Sequence, residues 1–96
     1  MSSRANFLSV SPLGSHTYVS ANSVVTITVN PNASVLLLGA QGASCRYTLD
    51  GTTPTASVGF LLGSSAGPVR LDLVPGTVVK VQGTGAFINY QQLRRF

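Results

Sequence analysis

Charge is what this chain has least of. Only 8 % of its 96 residues are charged, against roughly 25 % in an ordinary globular domain. Glutamate is absent, and the acids are Asp50 and Asp72 alone. A soluble monomer normally carries more charge to resist association, so much of this surface is expected to face other protein rather than bulk water. Tryptophan is also absent, which weakens a sugar-stacking reading, since sugar sites lean on exposed aromatics. The single cysteine, Cys45, excludes an internal disulfide. No His or Cys set has metal-ligand spacing, and nothing points to a cofactor. The longest apolar run, VLLLGA at 35–40, is far too short to span a bilayer. The N-terminus lacks a continuous apolar signal region. Folding in a reducing cytoplasm, away from membranes, is the expectation.

What is present is enough apolar side chain to build a core. Hydrophobic residues make up 44 % of the chain, which sets it apart from disordered sequences. The length is that of one domain. It buries about two-thirds of its unfolded surface, so assembly with a partner adds useful stability. The net charge of +4 comes from Arg4, Arg46, Arg70, Lys80, Arg94 and Arg95. These are scattered, whereas nucleic-acid binders cluster their bases with stacking aromatics. Attraction to an acidic protein surface is the better use of this charge.

The patterning is that of strands. In VVTITV, at 24–29, Val25, Ile27 and Val29 alternate with Thr26 and Thr28. The run SVLLLGA reads as a strand covered on both faces. CRYTLD alternates again, with Cys45, Tyr47 and Leu49 inward. GFLLG is its return strand. In GPVRLDLVPG, Val69, Leu71 and Leu73 face in, with Arg70 and Asp72 out and Asp72 paired across to a base such as Lys80. TVVKVQG and GAFINYQQL complete the series, the second with either face inward. About seven or eight strands at roughly ten-residue spacing predict an all-β fold. That fold is a single antiparallel β-sandwich or small barrel, jelly-roll-like. The Ser-rich residues 1–16 read as a flexible N-terminal arm, and 17–96 as the β-sandwich domain.

The most organised stretch is CRYTLDGTTPTASVGFLL, at 45–62. Asp50-Gly51 is a turn signal, and Thr52 and Thr53 offer hydroxyls to loop amides. Pro54 denies a ladder bond. Every residue has a structural job, so a hairpin corner is expected rather than a site of chemistry. His16, Asp50, Asp72 and a serine are the only available triad members, and no nucleophile elbow accompanies them. Gly83–Gly85 lacks a following helix and reads as a hairpin turn, not a phosphate cradle. Cys45 reads as a buried structural thiol. No catalytic residue is assigned. The terminal YQQLRRF sets Tyr90, Leu93 and Phe96 beside Arg94 and Arg95, which has the look of a docking tail; a last strand with a frayed end is the plainer alternative.

Taken together, YTLDGTTPTASVGFLL, a glycine-bounded VRLDL, GTVVKVQG and GAFINYQ resemble a class of small β-rich tailed-bacteriophage virion proteins. Those proteins decorate heads as capsid cement or fill tail and fibre interfaces. The resemblance spans roughly Ser44 to Gln91 and rests on turn chemistry. It implies a structural virion protein on the capsid surface, assembled in the host cytoplasm, which binds and stabilises the mature shell without catalysis. Its partners would be the major capsid protein, or another virion protein, and copies of itself. Contacts are expected from Arg4, Phe7, Tyr90, Leu93, Arg94, Arg95 and Phe96. A tail, baseplate or fibre component, and a host-surface or carbohydrate-binding β-sandwich, are the alternatives.

Overall fold

The computed structural model describes residues 10–95, and side chains within 12–94. Among these residues there are eight strands and no helix: β1 (Val10–Ser20), β2 (Val25–Thr28), β3 (Val35–Gln41), β4 (Cys45–Thr48), β5 (Phe60–Leu62), β6 (Val69–Asp72), β7 (Val78–Gln82) and β8 (Phe87–Arg95). They form two four-stranded sheets, ordered β1-β8-β3-β6 and β2-β7-β4-β5.

That order has a simple origin. The first strand pairs with the last, β2 with β7, β3 with β6 and β4 with β5, all antiparallel. The chain is one long hairpin, folded at the β4–β5 loop and rolled up. Two further pairings, β3 with β8 and β4 with β7, close the roll. This is jelly-roll connectivity. The inner faces of the sheets supply the core. Ile27, Cys45, Leu62, Val79 and Val81 come from one sheet, and Leu36, Leu38 and Ile88 from the other, all essentially buried. Each such aliphatic side chain contributes about 1.5–3 kcal/mol on leaving water.

The alternation expected for β2 holds: Ile27 and Val29 are buried, Thr26 and Thr28 exposed. Leu36 and Leu38 of β3 enter the core, while Val35, on the opposite face, is also fully buried. In β8 the inward face is that of Ile88 and Tyr90, which the sequence pattern left open.

Three expectations need correction. The boundary at residue 16 falls inside a strand, because β1 starts at Val10. Nine-residue β8 needs a partner on its far side, and 10–13 supply it, with Pro12 opposite Leu93. A register break between Leu13 and Thr17, with Gly14 at φ 82°, keeps the long strand in step. The rest of the proposed arm, 1–9, lies outside the described residues. Asp72 does not meet Lys80, because β6 and β7 are in different sheets; its carboxylate lies 3.6 Å from Arg70 on its own strand. Gly83–Gly85 is not a hairpin turn either, since β7 and β8 also belong to different sheets. It is a crossing between layers, tied by Gly83 N–H to Ala21 O at 3.0 Å and Ala86 N–H to Gly83 O at 3.1 Å.

At that crossing the backbone comes very close to β4. A Cβ on Gly83 would lie 2.6 Å from Cys45 Cβ and 2.7 Å from Ser44 O. Those atoms belong to backbone and a buried stem, so they cannot swing aside. Gly83→Ala is therefore expected to destabilise by about 1–3 kcal/mol. In thermal unfolding that is a fall of roughly 4–8 °C per kcal/mol for a domain of this size; an unchanged midpoint would refute the close approach.

Candidate partner-binding edge

The groups with catalytic potential are dispersed. His16 Nε2 lies 2.9 Å from Asn89 Oδ1 on the outer face of the β1–β8 ladder. Asp72 is beside Arg70, and Asp50 is in the β4–β5 loop. Among the described residues no group of three His, Cys, Asp or Glu is placed to hold a metal ion. No helix among them is long and apolar enough to cross a membrane.

The β4–β5 loop satisfies itself. Thr52 N–H donates to Asp50 Oδ1 at 3.0 Å, with Gly51 at φ 85° completing the corner. The buried Thr48 hydroxyl donates to Thr52 O. Thr55 Oγ1 accepts from Ser57 and Val58 N–H, and Thr55 N–H donates to Val58 O at 3.0 Å. Pro54 plugs the loop from inside, fully buried. The amide of Thr52 favours the ionised Asp50 carboxylate and holds its pKa below the usual carboxylate value. This is a corner built to launch β5 in a fixed direction.

β5 is the outer strand of its sheet, and its side chains are unusual for an edge. Phe60 is 62 % exposed and Leu61 64 %, with Val58 exposed just before them. The other edges are blunted in ways that discourage strand addition. β1 carries Pro12 and the register break; β6 presents Arg70 and Asp72; β2 shows only Thr26 and Thr28 outward. β5 has neither charge nor proline, and only its shortness limits pairing. Large apolar side chains exposed together along one edge mark an interaction site.

A guanidinium sits on the same edge. Arg46 faces outward opposite Leu61, and its Nη1 donates to Gly59 O at 2.8 Å. Gly59 makes this possible: at φ 119°, a Cβ there would lie 3.0 Å from Arg46 Cβ and 3.1 Å from Tyr47 O. Two clefts flank β5. One, of about 570 Å³, is lined by Arg46, Leu61, Gln82, Thr53 and Thr55. The other, of about 430 Å³, is lined by Tyr47, Asp50, Val58 and Phe60, where the Tyr47 and Phe60 rings lie 5.7 Å apart.

Comparison with protein-family models, with curated proteins and with solved structures finds no match. The site therefore rests on its own geometry.

Of the residues expected to make contacts, those within the described set lie on β8, in the other sheet. Leu93 is 5 % exposed, and Tyr90 is half-buried against the core. Both hold β8 in the sandwich, so neither heads a free docking tail. Arg94 is exposed. Arg95 lies in β8 opposite Val10, its side chain outside the described set, as are Arg4, Phe7 and Phe96. The sequence reading passed over Arg46, Val58, Phe60 and Leu61. The available signal was the run GFLL, which carries apolar residues on both alternations and needs cover on both faces.

Two titrations check these environments. Asp50 has a depressed folded pKa, so its turn contributes stability above the unfolded carboxylate pKa and loses it as pH falls through the folded value. Its carboxyl carbon shift is expected to titrate below the usual aspartate range, and Asp50→Asn to flatten the acid limb of the stability curve. The Cys45 thiol is buried, which raises its pKa. Iodoacetamide at neutral pH is expected to label it only after unfolding; rapid labelling of the folded protein would contradict its burial.

Proposed function

We propose that this protein is a structural component of a tailed-phage virion, a capsid decoration (cement) protein that binds the mature head shell and stabilises it without catalysis. The observation that carries this reading is the β5 edge, where Val58, Phe60 and Leu61 stand exposed on a nearly uncharged domain. Such a surface is suited to being covered by other protein. A jelly roll supports the reading only as a rigid platform, since the fold is shared by unrelated functions. Binding sites that exist only in the expanded shell would favour that state by mass action, and many symmetric copies add avidity.

A second reading has its own observation. On the outer face of the other sheet, Tyr18 and Phe87 stack with centroids 5.4 Å apart and both rings exposed. Register sets them beside Asn89 and Gln41, which are hydrogen-bonded to each other. Aromatic faces next to uncharged amides suit a saccharide, as a host-surface module would require.

Co-sedimentation with undecorated shells separates the readings. Saturable binding to expanded but not unexpanded capsids, weakening as salt rises, is the expected result. Binding to neither shell, with the protein recovered in detached tails, would move the assignment to the tail, baseplate or fibre. Binding to neither, with a glycan-array signal lost in Tyr18→Ala, would favour the host-surface module.

A further inference from the structure

The β5 edge has the parts needed to recognise one kind of partner. An added strand gains main-chain hydrogen bonds from an open edge, and its alternate side chains project to opposite faces of the sheet. Both faces here offer a cleft, and the two differ in chemistry. On the outer face the cleft holds the Arg46 guanidinium with Thr53, Thr55 and Gln82. The other cleft is lined by Tyr47, Leu49, Val58 and Phe60 together with Thr48, Thr52 and Asp50, whose carboxylate already accepts from Thr52. Arg46 is held at the strand's entrance by its bond to Gly59 O. A guanidinium has five donors, so that one bond leaves most of its fork for a planar anion. Leu61 flanks it on the same face, and a guanidinium–carboxylate pair is charge-assisted.

Charge selects the sign of the partner. The chain carries +4 with only two acids. Asp72 lies in the other sheet, next to Arg70. Asp50 lines the opposite cleft. The outward residues around Arg46 on this sheet are Lys80, Gln82, Leu61 and threonines, so among the described strand residues of this sheet no carboxylate faces out beside it.

We propose that β5 is extended by a short extended segment of a partner protein with the pattern apolar–acidic–apolar. The carboxylate bonds Arg46 on the outer face, and the flanking apolar side chains pack against Phe60, Val58 and Tyr47 on the inner face. This rests on reading the β5 edge as the contact surface, and it names the chemistry of what covers it.

The test is selection of a random seven-residue peptide library on the full chain, followed by amide exchange. Selected peptides are expected to carry a central Asp or Glu between apolar residues and to slow exchange along Gly59–Leu62. Replacing that acid by its amide, or Arg46→Gln in the protein, is expected to weaken binding at least roughly tenfold. Leu61→Glu, at an exposed position, places an anion beside Arg46 and is expected to abolish binding while leaving the unfolding midpoint unchanged. A consensus without an acid, protection away from β5, or binding that survives the acid-to-amide change overturns the proposal. The shell assay separates its failure from that of the reading above. Wild type and Arg46→Gln binding expanded shells equally sinks the acidic segment and keeps the decoration role. A positive selection with no shell binding does the reverse.

Discussion

The structure depends on one constraint, that β8 be gripped on both sides. It lies between β1, from the start of the chain, and β3, from its first half. Until those pairs form, the inner faces of the two sheets have nothing to close against. Leu36, Leu38 and Ile88 then expose the surface that burial would remove from water. The partners are far apart in sequence, so the loop-closure cost comes before the reward. Crossings such as the one at Gly83 are tight because they must turn the chain from one sheet to the other within a few residues. Small residues and backbone-to-backbone bonds at these points, Ala21 with Ala86 among them, follow from that geometry.

A rolled hairpin of two open sheets leaves four edges, and each is an aggregation hazard unless managed. Proline and a register break blunt the longest, and an Arg–Asp pair marks another. Against that background the β5 edge is a selective exception. Its loop is hydrogen-bonded from within and plugged by Pro54, so the exposed Phe60 and Leu61 are held by a well-formed corner rather than displaced by a defect. An apolar edge on a rigid support fits a contact surface, because little conformational entropy remains to be lost when a partner arrives.

How much of this was legible in the sequence depends on range. Local chemistry was readable: the Thr/Val alternation of β2, the Asp50-Gly51 corner and the inward Cys45 appear as the residues suggest, because pleat and turn rules act over a few residues. Strand order was not readable. Nothing in RLDL says that Asp72 and Lys80 belong to different sheets, and nothing in GTG separates a hairpin from a crossing. The edge was hidden for the same reason. GFLL looks like any buried strand until its place at the end of the sheet is known. Residues 10–16 misled in the opposite direction. Ser, Pro and Gly look like loop there, but the long partner strand β8 overrides weak propensity.

The low charge ties these observations together. With so few ionic groups, each one left at a strategic place has few competitors. Arg46 is set across a glycine at the start of the most apolar edge, with no carboxylate facing out beside it among the described strand residues of its sheet. The two acids are placed elsewhere: Asp50 serves its turn and Asp72 lies beside Arg70. A surface of this kind carries a modest net positive charge rather than a dense charge layer. The same imbalance gives it a preference of sign. On the proposed reading, that preference is for a partner segment that brings a carboxylate to the β5 edge.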